Sequence, residues 1–294
     1  GLRGQVRAGV RGFGPDDSPP SRQLEKIARR SGKIVKRQDK CWQALRKELV
    51  EHQIKVLDID ELNEDQLGLL RATFDTDIAP LLTPLSVDPA HPFPFLPNLG
   101  FGLALSLESD TRDPIFGVLP VPSHVPRFVA LERKSKTATY VAIEDVLRHF
   151  APTLYPDFRI TATGVFRITR DSGIEVDERA EDLVQHFESL LKQRRRGRVI
   201  RLEMSAGIES DLREFLVQCF ECRDEAVDES VATLGLRDVS ELVSQGPDSL
   251  LFPPFSARFP ERIREFDGDC LAAIAAKDIV GHHPYEACEV VIQF

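Results

Sequence analysis

The chain has 294 residues, of which 42% are hydrophobic and 29% charged, so its composition is that of an ordinary globular protein with room for about two domains. No apolar run approaches the ~18 residues that a membrane-spanning helix needs. The first residues, GLRGQVRAGVRG, lack the apolar core of a secretion signal. These features argue against an integral membrane protein and predict a cytoplasmic protein with no transmembrane segment.

The net charge of −9 is unevenly distributed along the chain. Residues 1–54 hold 13 Lys and Arg against 6 Asp and Glu, a net charge of +7, so the remainder carries −16. This acidic bulk argues against a nucleic-acid partner. The basic segment suits an anionic ligand or an acidic partner, but a solvated helix face would have the same composition, and the sequence leaves both open.

Five cysteines, an odd number, predict reduced thiols in a cytosolic protein. Cys219 and Cys222 form a lone CxxC pair. A zinc site needs a second close pair, and Cys270 and Cys288 are too far apart in sequence to supply one. We therefore expect core cysteines and no metal site in this chain.

The first long element is an amphipathic helix predicted over residues 21–52, which follows a short helix over 1–10 and a polar loop. Apolar residues recur along it at intervals of three to four, which indicates one buried stripe. That stripe consists of Leu24, Ile27, Ala28, Ile34, Val35, Trp42, Leu45 and Leu49.

A strand over 54–57 and a second helix come next. Asn63 is the predicted N-cap of that helix, and Gln66 three residues later completes a capping box. Its buried side is expected to consist of Leu67, Leu70, Phe74 and Ile78.

Residues 80–99 contain six prolines, each of which fixes its own φ and biases the preceding residue away from the helical region. Large apolar residues stand between the prolines, unlike in a disordered linker. The stretch is therefore predicted to be a rigid, extended, buried connector with no regular helix or central strand. Asp88 and His91 within it could form an acid–base pair, but no third group or nucleophile is apparent, and an Asp side chain that bonds nearby backbone in a turn is the favoured explanation.

Period-two alternation predicts strands from residue 101 onward. Over 101–108 small residues alternate with large ones, so both faces of that strand are expected to be covered. Pro120 predicts that the strand over 115–121 lies at an edge or ends in a bulge. The other predicted elements are strands over 127–131, 140–143, 159–170 and 199–204, helices over 144–150, 178–196, 210–220 and 238–243, and a linker over 251–260.

Two groups of residues are candidates for binding an anion. Pro284 suits the first position of a helix, so backbone N–H groups near His283 would point at an anion, with His282 and Tyr285 beside them. A buried turn with satisfied histidines is the alternative. The second group is the basic cluster Arg194, Arg195, Arg196, Arg198 and Arg201, which also suits charge compensation at a helix C-terminus.

Several motifs resemble the polyphosphate kinase family of the histidine-phosphointermediate type. The most specific is TPLSVDPAHPFPFLPNL at residues 83–99, which is similar to the signature of the middle, or head, domain. The others occur in the order expected for the family: VPRFV, YVAIEDVLRHF, FRITRD, AEDLVQHFESLLKQRRRGRVIRLE and HHPY.

The resemblance implies an α+β fold in three parts. Residues 1–54 would be the end of a helical N-terminal domain packed on the head domain, and residues 55–260 the mixed α+β head domain. Residues 261–294 would be the linker and the first element of a truncated, phospholipase D-like α/β catalytic domain. On this basis the chain is expected to be a fragment of a longer protein.

The resemblance also implies an activity: reversible transfer of the terminal phosphate of ATP to polyphosphate through a phosphohistidine, assisted by magnesium. In the family the catalytic residues lie in domains outside this chain. The fragment alone is therefore expected to be inactive, to bind no ATP, ADP or magnesium by itself, and to supply structural, dimerisation and tunnel-shaping parts of a homodimer. The polyphosphate-contact candidates are His282, His283, Tyr285, Arg194, Arg195 and Arg196. A non-catalytic scaffold built on the head domain is the alternative.

Overall fold

The structure is a computed structural model that describes residues 2–7, 9, 18–87, 93–110, 112–131, 138–171, 197–222, 226–230, 234–244, 247–282 and 285. The chain divides into two compact units, residues 1–245 and residues 246–294. The predicted helix over 178–196, the pair Asp88 and His91, and the site candidates Arg194, Arg195, Arg196 and His283 lie outside the described residues.

The first unit contains both helices and strands, in agreement with the predicted α+β class. In chain order they are α1 (Leu2–Arg7), α2 (Pro20–Glu51), β1 (Ile54–Leu57), α3 (Glu64–Thr73), β2 (Leu85–Val87), β3 (Phe101–Ser109), β4 (Arg112–Val121), β5 (Phe128–Ala130), β6 (Ala138–Ala142), α4 (Ile143–Leu154), β7 (Arg159–Arg170), β8 (Val199–Ser205), α5 (Ser210–Cys219), β9 (Val227–Ser230) and α6 (Ser240–Ser244).

The larger of two sheets has the strand order β2-β4-β3-β7-β8-β9. Its neighbours are antiparallel except β8 and β9, which run parallel. β2 pairs with β4 only at 116–118, so Pro120 lies where β4 has a neighbour on one side, as its missing N–H requires. The smaller sheet has the order β1-β6-β5.

Both faces of the large sheet are buried, as the small residues of β3 predicted. Leu103, Leu105 and Leu107 belong to one core, which α3 and α4 cover. Phe74 and Phe150 also belong to this core. Ala104 belongs to the core on the opposite face, under α5. The large sheet therefore lies between α3 and α4 on one face and α5 on the other.

α3 begins as the capping box predicts. The Asn63 side chain accepts a hydrogen bond from the Gln66 backbone N–H at 2.9 Å, and the Gln66 side chain accepts one from the Asn63 N–H. After Thr73 the backbone continues as one π-helical segment, Phe74–Ile78, and then as a 3-10 turn, Ala79–Leu81. These turns place Leu70, Phe74 and Ile78 in the core, where they were expected.

The prediction of one buried stripe along α2 is wrong in large part. The helix has the predicted extent, but Ile27 and Ile34 are 53% and 55% exposed, and Leu45 is also exposed. Trp42 alone of the stripe is fully buried, against Phe128 of the small sheet at 6.1 Å between ring centroids. Leu24, Ala28, Val35 and Leu49 are half-buried, and α1, β1 and β9 are among the described elements that contact α2.

The proline-rich stretch is buried only in part. Leu82 and Leu96 are buried, whereas Leu81, Phe95 and Leu99 are exposed. β2 forms within it, but as an edge strand of three residues, consistent with the predicted absence of a central strand. The stretch therefore lies along the edge and one face of the sheet and is not enclosed by it.

The second unit is small. It contains α7 (Glu261–Glu265) and α8 (Cys270–Ala276), whose contact is a minor core of Ile263, Cys270 and Ala273. The Asp269 side chain caps α8 by accepting from the Ala272 N–H at 3.0 Å. In the described part of the chain no helix is both long enough and apolar enough to cross a membrane.

Candidate functional site

His282 and Tyr285, two of the predicted anion-binding residues, lie in one turn of the second unit. The Tyr285 N–H donates to the His282 carbonyl at 2.9 Å, and their rings contact each other at 5.1 Å. Tyr285 also contacts Phe255, and both site residues are exposed. The described atoms thus form a ring cluster, and anion binding at this turn stays a prediction.

The described members of the predicted basic cluster differ in their surroundings. Arg201 is neutralised by carboxylates, with Nε 2.6 Å from Asp228 and Nη2 3.2 Å from Glu203. Arg198 is exposed and forms no ion pair with the described carboxylates. Of these two arginines, therefore, Arg198 is the one whose charge is available to a ligand.

Arg198 lines an open cleft of about 300 Å³, which we call the Arg170 cleft. Its walls come from three places in the sequence: the proline-rich stretch, the adjoining ends of β7 and β8, and the C-terminal end of α5. The lining residues are Phe93, Pro94, Phe95, Arg170, Arg198, Val199, Cys219, Phe220 and Glu221.

Arg170 is held rigidly in this cleft. Its Nε donates to the Leu96 carbonyl and its Nη1 to the Gly197 carbonyl, both at 2.7 Å, and its guanidinium lies 4.7 Å from the centroid of the Phe95 ring. Burial lowers the pKa of Arg170 from its ordinary value. The carbonyls satisfy two donors, yet no described carboxylate forms an ion pair with this charge.

Local backbone contacts bring the two arginines together. The Arg170 N–H donates to the Asn98 side chain at 2.7 Å, which fastens the end of β7 to the turn at the end of the proline-rich stretch. The Asp171 N–H donates to the Arg198 carbonyl at 2.8 Å, which fixes the approach to β8 beside it. On the opposite wall Phe93 contacts the ring of Phe220 at 4.8 Å.

The cleft is suited to binding and not to covalent chemistry. Burial raises the pKa of Cys219 to about 11, so this thiol is neutral and a poor nucleophile near pH 7. Glu221 is the carboxylate of the lining, against the two guanidinium groups. The cleft therefore has a net positive lining with aromatic walls.

A second, shallower depression is acidic. It is lined by Asp58, Ile59, Asp60, Asp145, Arg148 and His149. Burial, and then the neighbouring Glu144, raise the pKa of Asp145 to about 6, although Arg148 opposes the shift. Among the described residues no group of three or more His, Cys, Asp or Glu side chains is arranged to hold a metal ion.

A buried ion pair, Arg127 with Glu144, lies in the unit that carries the Arg170 cleft. Arg127 Nη2 lies 2.7 Å from Glu144 Oε1 and donates to the Leu234 carbonyl at 2.9 Å. The Arg127 guanidinium also lies 3.9 Å from the centroid of Phe101. A carboxylate oxygen of Glu241 accepts a hydrogen bond from the Arg127 backbone N–H at 2.7 Å. The contacts of Arg127 with Leu234 and Glu241 therefore connect α6 and the residues before it to the small sheet.

A comparison with protein families matches residues 65–242 to the polyphosphate kinase middle domain. The match covers more than half of the chain and includes the whole of the large sheet. The chain belongs to the polyphosphate kinase family.

Relatives in this family match the entire chain. It is 38% identical over 294 residues to a polyphosphate kinase of Erythrobacter litoralis, which covers 100% of this chain but 41% of that protein. It is 32% identical to a polyphosphate kinase of Aphanizomenon baltica, over 98% of this chain and 81% of that sequence. The chain thus spans about two-fifths of the length of the Erythrobacter relative.

The fold agrees with a solved member of the polyphosphate kinase family. The crystal structure of polyphosphate kinase from Porphyromonas gingivalis matches with a TM-score of 0.69 at 20% sequence identity. The match covers 93% of this chain and 40% of that one. At this identity the likeness establishes the mixed α+β fold alone.

Sequence reasoning missed Arg127 and Arg170 as individual residues, although both lie in motifs that carry the family resemblance. VPRFV contains Arg127 and FRITRD contains Arg170. The available signal was an arginine at the start or end of a predicted strand, where the backbone turns and a long side chain can reach carbonyls. The motifs locate both segments, but they predict no role for either arginine.

Proposed function

We propose that this chain is the central part of a polyphosphate kinase, which transfers the terminal phosphate of ATP reversibly to polyphosphate. The observation that carries the proposal is the family match over residues 65–242, within relatives that match the full chain. The phosphoryl group would pass first to an imidazole nitrogen, with release of ADP, and then to a terminal oxygen of polyphosphate.

The reacting histidine of this proposal lies outside the chain. Magnesium, when bound in the whole enzyme, would neutralise charge on the transferred group. The described residues do not fit that role, because no carboxylate and imidazole cluster among them is arranged for a cation. The chain's own part is to form the sheet, the helices that cover it and the Arg170 cleft, and the chain alone is expected to be inactive.

The remaining assignments are part of the same proposal. Residues 1–54 would end a helical N-terminal domain, and residues 261–294 would begin a phospholipase D-like catalytic domain. The enzyme would be a cytoplasmic homodimer joined through the head domain, which would also shape the active-site tunnel. His282, His283, Tyr285 and Arg194, Arg195 and Arg196 remain candidates for polyphosphate contact.

The test compares two proteins from one coding sequence: the 294-residue chain and the uninterrupted natural product that contains it. With ATP labelled on its terminal phosphate, we expect the longer product to extend polyphosphate and to form labelled phosphohistidine, and the chain alone to do neither. Labelled phosphohistidine on the 294-residue chain would contradict the assignment of the chemistry to other domains. A coding sequence that stops after Phe294, with no activity, would favour the scaffold alternative.

A further inference from the structure

We propose that the Arg170 cleft binds a phosphate chain, with Arg170 and Arg198 as its ligating groups. The phosphate-chain chemistry of the ligand rests on the proposed function, whereas the preference for an anion rests on the cleft itself. This site is formed by residues of the middle domain and is additional to the polyphosphate-contact candidates His282, His283, Tyr285, Arg194, Arg195 and Arg196.

Arg170 carries a charge that no described carboxylate neutralises. A guanidinium offers five N–H donors, and the two described hydrogen bonds of Arg170 end on neutral carbonyls. A half-buried charge with no carboxylate partner is costly, and a bound anion would remove that cost. Two hydrogen bonds and the Phe95 ring fix the side chain, and Arg170 lines the cleft, so a ligand that binds its remaining donors pays little to order it.

Arg198 supplies a second positive charge to the cleft. It is exposed and lines the same cleft, and the hydrogen bond from Asp171 to its carbonyl keeps its backbone beside the end of β7. Two guanidinium groups on one wall suit the successive charges of a phosphate chain, since each can bind phosphate oxygens in a bidentate manner. Pockets of this volume are at the small end of ligand sites, which suits a short segment of such a chain.

The opposite wall sets the orientation of the ligand. α5 ends at Cys219, so its negative helix end and the Glu221 carboxylate both disfavour an anion on that side. The phosphate chain is therefore confined to the wall formed by Arg170, Arg198 and the exposed Phe95. Removal of the Glu221 charge should strengthen binding, an effect that damage to the fold would not produce.

The experiment measures binding of tripolyphosphate to the 294-residue chain by titration calorimetry at pH 7. We expect Arg198→Gln to raise the Kd about tenfold, as the loss of one charge-assisted contact implies. The matched control is Arg237→Gln, an exposed arginine on the turn before α6, which should leave the Kd within about twofold. Glu221→Gln should lower the Kd several-fold, and Glu214→Gln, on the exposed surface of α5, should not.

Three comparisons decide the result. Absence of tripolyphosphate binding at millimolar concentration, or equal effects of Arg198→Gln and Arg237→Gln, would overturn the site. Equal affinity for a glutamate peptide of the same charge would overturn the choice of phosphate. ATP carries the same three phosphates: equal Kd values for ATP and tripolyphosphate would identify an inorganic chain as sufficient, and a tighter Kd for ATP would identify a nucleotide as the source.

The inference and the proposed function can fail separately. If the longer natural product polymerises phosphate while the cleft variants bind tripolyphosphate as the wild type does, the cleft assignment alone is wrong. If the cleft binds as expected but the longer product forms no phosphohistidine, the proposed enzyme activity is wrong and the binding site stands.

Discussion

Replacement of Arg127 by methionine should lower the free energy of unfolding of the first unit by about 3 to 5 kcal/mol. Arg127 is 5% exposed, and its partner Glu144 is also buried. The substitution keeps much of the side-chain volume but leaves the Glu144 carboxylate without a cation. It also removes the hydrogen bond to the Leu234 carbonyl and the contact with the Phe101 ring.

The magnitude follows from what the buried carboxylate can do. Left charged and unpaired, it costs several kcal/mol in a medium that water does not reach. The lost ring contact adds about 1 kcal/mol, so the total loss is expected to be about 3 to 5 kcal/mol.

Urea denaturation of the variants measures the effect as a change in midpoint at constant slope. The matched control is Arg159→Met, which removes the exposed ion pair between Arg159 and Glu108 and should cost about 0 to 1 kcal/mol. The double variant Arg127→Met with Glu144→Leu should recover most of the loss, because Arg127 Nε and Glu144 Oε2 already lack hydrogen-bond partners. A loss below 1 kcal/mol for Arg127→Met, or no recovery in the double variant, would refute this account of the pair.

Two further predictions concern the same unit. Asp145 has a pKa of about 6 in the folded chain, above its unfolded value, so its contribution to stability is present below about pH 4 and is lost as the pH rises toward 6. Asp145→Asn should remove this pH dependence of stability and should stabilise the fold at pH 7 by about 1 to 3 kcal/mol. An unchanged pH profile of the denaturation midpoint in the variant would contradict the raised pKa. A Cβ on Gly164 would lie 2.3 Å from Ile208 Cδ1, so Gly164→Ala should lower the free energy of unfolding by about 1 to 3 kcal/mol. Ile208→Ala removes the clashing atoms. In a double-mutant cycle the double variant should therefore lose less stability than the sum of the two single losses.

Local patterns predicted most of the elements. β7 has the predicted bounds because apolar or small residues alternate with polar ones over most of its twelve residues, Val165 being the exception. α3 begins at its predicted cap because Asn63 and Gln66, three residues apart, bond to each other's backbone N–H groups. The exposure of Ile27 and Ile34 could not be foreseen in the same way. Periodicity identifies the apolar side of a helix, but that side is buried only where another element packs on it. The sequence of the helix does not specify that element.

The site residues depended on contacts between distant parts of the sequence. Arg127 becomes a buried charge because Glu144 and Leu234, 17 and 107 residues away, meet it in the fold. Arg170 likewise becomes a cleft residue through Leu96 and Gly197, 74 and 27 residues away. A single sequence marks neither separation. A position at the end of a predicted strand was the available signal, but it does not show which arginine becomes enclosed.

The strand at one edge of the large sheet, β2, has three residues and is flanked in sequence by Pro84 and Pro89. A sheet edge with free N–H and C=O groups is a template on which another chain can add a strand and begin to aggregate. Proline lacks the N–H needed for such pairing, and a strand of three residues offers few backbone groups with which a new strand can pair. Pro84 and Pro89, on either side of β2 in the sequence, therefore oppose the pairing of a further strand at this edge of the large sheet.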